Sequence, residues 1–370
     1  MAKAVRMSDI AEQLQISTVT VSKALAGKDG VSEELRKKIQ RLAVEMGYQF
    51  QKNKQEQTPC YTIGIITSYR YIEKGQSFYW AMYERVLFHL SQGNHIGILE
   101  VISESAEQTC TMPRLIAENR IQGCIVIGKF SLSYYKMLEQ ASVPCLVLDA
   151  FQAELQQDSV ISDGYYGMYL MTKHLLQAGH REIAFVGSIE ETSSILDRYY
   201  GYCRAMREAG ILVTEKQVLP DRDAEGKIAI SLEKLSKMPT AFACNCDSTA
   251  YILISLLQKA GFSIPNDISV VGFDDFIFAE LSNPPITTYA VDINLMSKKG
   301  VRQLLARIKN PAIPIRHIVV SGTMIHRKSV RNLPLAEPAS LTSKEVAAVE
   351  NRSSIRVISQ RPLIILDACR

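Results

Sequence analysis

Between Ile16 and Ala26 the chain reads Ser17-Thr18-Val19-Thr20-Val21-Ser22-Lys23-Ala24-Leu25, with hydroxyls, a cation and apolar residues interleaved at helical spacing. Ser17 is a good N-cap, so a helix starting there carries Thr18 and Val19 in its leading turn and Lys23 one turn on. Such a helix fits the major groove of duplex DNA with its first turns leading. Thr18 can donate to or accept from a base edge, Val19 can pack on a thymine methyl, and Lys23 can reach guanine acceptors or a phosphate. Thr20, Ser22, Ser32, Arg36 and Tyr48 carry groups suited to phosphate contacts that set register. Lys28, Lys37 and Lys38 serve equally well as phosphate contacts or as a solvated face.

A second set of polar residues follows apolar runs further along. Asp149 ends Cys145-Leu146-Val147-Leu148, Asp163 follows Val160-Ile161-Ser162, Asp247 follows Ala243-Cys244-Asn245-Cys246, and Asp274 and Asp275 follow Val270-Val271-Gly272-Phe273. Ligands of open α/β sheets bind outside the carboxyl ends of the strands, so this clustering marks a small-molecule cleft. Asp247 reads either as a cleft group or as a helix start, Asp275 as a helix cap, and His180 as a turn contact.

The elements that must position these groups can be read from periodicity. Residues 6–47 predict three short helices, at 8–14, at 18–25, and a third capped by Ser32 with Glu33 and Glu34 at its positive end and Gly47 at its stop. Ile10, Leu14, Val21, Leu25, Leu35, Ile39, Leu42 and Met46 fill its small core. Residues 49–58 are almost wholly polar and read as a linker. From Tyr61 the pattern becomes strand, helix, strand, with strands at 61–66, 96–101, 124–128, 145–148, 183–187, 241–245, 268–273 and 287–291. Amphipathic helices such as 168–178 and 249–261 lie between them. Continuous apolar strands alternating with helices imply parallel sheets covered on both faces, here divided into two doubly wound lobes. The tail beyond 331 breaks the pattern, mixing a polar stretch with the apolar Pro362-Leu363-Ile364-Ile365-Leu366, and has no leucine heptad.

Of the chain's 370 residues 47% are hydrophobic, enough for a full core. Net charge is +4, and its placement matters more than its size. Residues 1–54 hold 10 of the 42 Lys and Arg but 6 of the 38 Asp and Glu, leaving 32 of each sign elsewhere. The entire excess therefore sits at the N-terminal end, where a polyanion would bind. The eight cysteines form no C-x-x-C pair, and the closest, Cys244-x-Cys246, lies in a predicted strand. A disulfide framework and a metal site are both unexpected. The first residues show no apolar export signal, and no run of about 18 apolar residues spans a bilayer.

The residues Asp9-Ile10-Ala11, Ile16 to Leu25, Val31-Ser32 with Arg36, and Gly47-Tyr48 resemble the headpiece of the lactose/galactose repressor (LacI/GalR) family. Further blocks carry the resemblance to about residue 330. These are Pro144 to Asp149, His174-Leu175 with Gly179-His180-Arg181 and Ile183, Asp197-Arg198 with Gly201, Gly272 to Asp275, and Pro284 to Thr288. The resemblance implies an α/β protein with a small all-α helix-turn-helix headpiece and a periplasmic-binding-protein-like two-lobed, doubly wound parallel-sheet domain. It implies a DNA-binding domain over 1–48, a hinge over 49–60 and a two-lobed domain over 61–330. The N-lobe would take about 61–161 plus 292–320, the C-lobe about 162–291 plus 321–330, and 331–370 would remain a separate tail. Arg198 and Asp274 would face each other across the cleft and clasp adjacent hydroxyls, supported by Asp149, Asp163 and Ser194. Phe78 or Tyr79 would line it, with Trp80 in the core. No cofactor is implied. The implied partners are a near-palindromic double-stranded DNA operator, a small polar effector such as a sugar, and a second copy of the chain, in the cytoplasm and away from membranes.

The chain departs from the family in three places. Polar Lys54 and Gln57 stand where the hinge's Ala and Leu would fall, so the minor-groove leucine wedge loses its leucine. Ser8 would replace the usual threonine cap of the first helix, where Arg6 stands. Pro220 to Gly226 lacks the aromatic that many members stack on a sugar, which turns attention to Asp221, Arg222 or Asp223 as readers of a more polar or charged effector. Competing functions are weaker. An exported solute-binding protein would not carry the helix-turn-helix, and no G-x-G-x-x-G, Walker, H-E-x-x-H or G-x-S-x-G motif nominates an enzyme. A global regulator or activator controlled by a protein partner is the alternative reading.

Overall fold

Three capped helices build the N-terminal unit, residues 1–61, of a chain whose second unit runs 62–370. The structure, a computed structural model, describes residues 5–48, 59–72, 78–223 and 226–334. The hinge stretch 52–57 and the tail from 335 on, both discussed above, lie outside the described residues.

Helix α1 (Met7–Gln13) begins when the Asp9 carboxylate accepts the Arg6 backbone N–H at 2.7 Å. The cap is thus Asp9 reaching back, and not Ser8 as expected, since an N3 acid satisfies the orphan N–H just outside the helix. In α2 (Thr18–Leu25) the Ser17 hydroxyl accepts from the Thr20 N–H at 3.0 Å, and in α3 (Glu33–Glu45) Ser32 accepts from the Leu35 N–H at 3.4 Å. Gly47, at φ 72°, ends α3 in the left-handed conformation. Ile10, Val21 and Ile39 meet at the centre. The buried Ala11, Ala24 and Ala43 are core positions that a search for large apolar residues passes over.

The second unit continues as β1 (Thr62–Ser68), α4 (Phe78–Gln92), β2 (Ile96–Ile102), α5 (Glu104–Gln108), α6 (Arg114–Ala117), β3 (Gly123–Ile127), α7 (Leu132–Glu139), β4 (Cys145–Leu148), β5 (Asp158–Ser162), α8 (Gly164–Gln177), β6 (Ile183–Val186), α9 (Ser193–Glu208), β7 (Val218–Leu219), β8 (Ala241–Cys244), α10 (Asp247–Lys259), β9 (Ser269–Val271), α11 (Ile277–Leu281), β10 (Thr288–Ala290), α12 (Ile293–Lys309), β11 (His317–Val320) and β12 (Thr323–Ile325). One sheet has the order β11-β5-β4-β3-β1-β2 and is parallel throughout. The other, β7-β6-β8-β9, is also parallel. The strand expected at 287–291 joins neither sheet as a full member. It forms β10, which pairs antiparallel with β12, because the chain returns alongside it after its last passage between the lobes.

Strands β3, β4, β6 and β8 are buried at every residue, as their unbroken apolar runs require. The chain passes between the sheets three times: after β5, after β10 and after β11. Asp163 caps α8 at the first passage and Asp292 caps α12 at the second, each accepting the N–H three residues on. The third passage is tied to the first by the Asp163 N–H, which donates to the Val320 carbonyl at 3.0 Å. A hinge of three short crossings leaves two lobes that can close on a ligand.

Candidate functional site

On α2, Val21 and Ala24 turn into the headpiece core, which leaves Thr18, Val19, Ser22 and Lys23 exposed on the other side. These positions stand one and four residues apart and therefore share a face. Val19 is 62% exposed on that face. Ser17 and Thr20 do different work: their hydroxyls lie 2.8 Å apart and are spent on the cap. Ser32 likewise caps α3. Arg36, expected at a phosphate, is half-buried and donates from Nη2 to the Lys28 carbonyl at 2.9 Å. It braces the 26–30 turn instead, because its helix position aims it under that turn. Tyr48 is half-buried against the headpiece core.

In the second unit the candidates separate into those that converge and those that do not. Arg198, on α9, is 5% exposed. Its guanidinium lies over the Phe273 ring at 3.9 Å, donates from Nη1 to the Asn245 carbonyl at 2.6 Å and from Nη2 to Asp274 at 3.1 Å. Arg198 and Asp274, both expected in the C-lobe over 162–291, meet directly and do not face each other across an open cleft. They form an ion pair within the second lobe, since α9 and the end of β9 flank the same sheet edge. Asp274 is held at φ 104°, with its N–H on the Tyr289 carbonyl.

The first lobe contributes Asp149, at φ 64° beyond β4, and Tyr79, near the start of α4. The Tyr79 hydroxyl bonds the Asp149 carboxylate. Asp149 is pushed up to about 7 by burial, with Arg198 opposing and Asp274 adding to the rise. Asp274 is pushed up to about 6, again by burial, with Arg198 pulling it down. Burial and Asp149 together hold the Tyr79 phenol well above its ordinary range. Asp149 thus feels Asp274, and both feel the same guanidinium, so groups from both lobes surround one space. The buried atoms there without a hydrogen-bond partner among the described residues include Asp149 Oδ1, an acceptor, and Arg198 Nε, a donor. A ligand with adjacent hydroxyls satisfies both.

Asp247 is corrected. It is fully buried, and its oxygens accept from the Phe276 N–H at 2.9 Å and the Thr288 hydroxyl at 2.7 Å. It fastens the segment beyond β9 to β10 and leaves nothing for a ligand. A Cβ on Gly272 would fall 2.1 Å from its Oδ1, which is why glycine stands there. Asp275 is not a cap, for Phe276 holds that position, and it pairs with Arg327 at 2.7 Å. Asp163 sits at the hinge, where Ser321 donates to it at 3.3 Å. Ser194 is half-buried beside the Thr192 hydroxyl at 2.9 Å, near the same hinge. Phe78 packs edge-on against Tyr79 at 5.6 Å. Trp80 is half-buried and not core; its indole N–H donates to Glu84 at 3.2 Å.

Asn245 and Lys129 are cleft groups that the sequence reading missed, and Asp221, which it named as a reader of the effector, is corrected to a supporting role. Asn245, at the end of β8, gives its carbonyl to Arg198 and its amide to Asp221 at 2.6 Å. Asp221 is fully buried and also accepts from Thr249 and the Ser188 N–H, so it supports the site from behind. Lys129 follows β3 and bonds Glu191 of the other lobe. All lie just past strand ends, and the rule that found Asp149 finds them when every strand is asked for its first polar residue. Arg222 stands at the same edge.

Residues 6–51 match the lacI family of bacterial regulatory proteins, and residues 172–330 match the periplasmic binding protein-like domain. The ribose operon repressor of Haemophilus influenzae is 29% identical over 334 residues, which cover 88% of this chain and 99% of that protein. The HTH-type transcriptional repressor PurR of Vibrio campbellii is 28% identical over 334 residues, with the same coverage of 88% and 99%. Among solved structures, a LacI family transcriptional regulator from Enterococcus faecium with bound ribose is 26% identical, covers 74% of this chain and 100% of its own, and superposes with a TM-score of 0.62.

Proposed function

The chain belongs to the LacI family of bacterial regulatory proteins, and we propose that it represses transcription by reading an operator through Thr18, Val19, Ser22 and Lys23 while a small polar effector in the cleft sets its operator affinity. It is a sequence-specific DNA-binding regulator. Two copies bind a near-palindromic operator, since a two-fold protein reads two-fold DNA. It works in the cytoplasm, where its operator is, and no described helix is long and apolar enough to cross a membrane.

The observation that carries the effector reading is the pair of unpartnered buried atoms, Asp149 Oδ1 from the first lobe and Arg198 Nε from the second. A polyhydroxylated ligand joins them and favours the closed lobes, which is the differential affinity a switch needs. The ribose in the Enterococcus faecium relative and the ribose operon of the Haemophilus influenzae relative make a sugar-like effector the leading class. Asp149, Arg198 and Asp274 contact it, Tyr79 and Phe78 wall it, and Asp163 and Ser194 act from the hinge.

The deciding experiment is selection of duplex DNA by the full-length chain, repeated with a panel of sugars and nucleosides. A two-fold consensus that changes occupancy with one compound is the expected result. Selection of no sequence removes the operator reading, and an Arg198→Ala chain that keeps the response removes the cleft assignment.

A further inference from the structure

Arg222 follows β7 and stands at the carboxyl edge of the second sheet, beside the loop that carries Ser188 and Glu191. Its placement is fixed by three contacts. Its backbone bridges Ile228, its N–H donates to the Ser188 hydroxyl at 3.1 Å, and its Nη1 donates to the Gly226 carbonyl at 3.1 Å. Its Nε is buried and has no hydrogen-bond partner among the described residues. The nearest carboxylate oxygen, Asp221 Oδ1, is 3.8 Å away, and Asp221 already accepts from Ser188, Asn245 and Thr249. The guanidinium lies within electrostatic reach of Tyr79 in the first lobe and of Asp274 and Glu191 in the second, so it borders the space that Arg198 and Asp149 border. The side chain keeps 25% of its surface exposed while its Nε is buried without an acceptor, and a guanidinium already anchored through Nη1 loses little further freedom on binding an oxyanion.

We propose that Arg222 binds an oxyanion, a carboxylate or a phosphate, on the effector, so that the cleft selects an acidic or phosphorylated polyhydroxy compound over its neutral parent. The inference rests on the cleft being the effector site proposed above. Arg198, Asp149 and Asp274 then hold the hydroxyls, and Arg222 reads the charged end. Fork-shaped donors suit both oxyanions, and the two are separated by the probes.

The test is calorimetric titration of the full-length chain with D-ribose, ribonate and ribose 5-phosphate, and with D-glucose, gluconate and glucose 6-phosphate, at fixed ionic strength. In at least one series an oxyanion-bearing member binds about tenfold or more tightly than its parent, consistent with one charge-assisted contact. Whether the acid or the phosphate leads identifies the oxyanion. Arg222→Gln removes that ratio, and Arg222→Lys keeps part of it. A panel in which no oxyanion is preferred, or a preference that survives Arg222→Gln, overturns the proposal. Arg198→Ala separates the two readings: it weakens every member alike if the cleft holds the hydroxyls. An Arg222-dependent preference in a chain indifferent to Arg198→Ala would remove Arg198 from the hydroxyl-binding set proposed above and leave the Arg222 assignment standing.

Discussion

The Lys129 ammonium, just past β3 in the first lobe, bonds the backbone carbonyl of Glu191 in the second lobe and lies 3.9 Å from its carboxylate. Both side chains keep about a third of their surface in water, at 31% and 38%, so the ion pair itself is worth little. The contact matters because it joins the two lobes and touches no proposed effector atom. Lys129→Met is expected to weaken effector binding by about two- to fivefold, the effect of losing roughly 0.5–1 kcal/mol of closed-state bias. Small-angle scattering of the effector-bound chain checks the cause, and an unchanged affinity and radius would show the latch to be idle.

Asp149 predicts a direction for pH. Burial raises it from the ordinary carboxylate range to about 7 in the folded chain. Between about pH 4 and pH 7 the folded chain therefore holds a proton that the unfolded chain has lost, and stability falls as pH rises through that window. Asp274, raised to about 6, tilts the same way, so removing Asp149 flattens the slope without abolishing it. Asp149→Asn keeps the shape and drops the charge. It is expected to stabilise the second unit at pH 8 by on the order of 1 kcal/mol, and to have little effect at pH 4. Urea midpoints at the two pH values measure this, and a less stable variant at pH 8 would contradict the assignment of burial as the cause.

The sheets were legible because their strands are unbroken apolar runs. All eight expected strands form, with ends shifted by a few residues. Those passed over are β5, which opens on Asp158 and Ser159, the two-residue β7, and β11 and β12 near the last crossing, where polar residues interrupt the pattern. At the site, types and spacing pointed to the right edge of each sheet, yet not to side-chain direction. Asp247 and Arg36 look like surface groups in sequence. They turn inward because Thr288 and the Lys28 carbonyl, brought near only by folding, accept or supply their hydrogen bonds. The direct pairing of Arg198 with Asp274 is likewise a product of the fold.

Asp158 and Arg307 tie β5 to α12 inside the first lobe. The carboxylate, 2% exposed, receives Arg307 through Nε and Nη2 at 3.0 Å each, Gln303 at 3.1 Å and the Arg316 N–H at 2.9 Å. Removing one partner of a buried pair strands the other charge, so Arg307→Ala is expected to cost about 3–5 kcal/mol. Thermal melts should show the loss, with the Asp158→Asn, Arg307→Met double variant recovering part of it. A loss below about 1 kcal/mol would mean that water takes the place of the guanidinium.

Arg36 and Lys23 carry the same charge in the headpiece, and their predicted effects differ in kind. Lys23 is exposed on the outer face of α2, so its ammonium can displace a counterion from DNA. Arg36 is half-buried, with its Nη2 donating to the Lys28 carbonyl. Each phosphate contact contributes about 0.9 to the slope of log affinity against log salt. Lys23→Ala should lower that slope by about 1 if it meets phosphate, or relax base preference at one position if it meets guanine, and leave helix content unchanged. Arg36→Ala should leave the slope unchanged and destabilise the headpiece by about 1–2 kcal/mol, through a lost hydrogen bond to a charged donor and a loosened 26–30 turn. Operator titrations at several salt concentrations, paired with circular dichroism melts, separate the two. An Arg36→Ala chain that melts normally but loses a unit of salt slope would place Arg36 on the phosphate backbone after all.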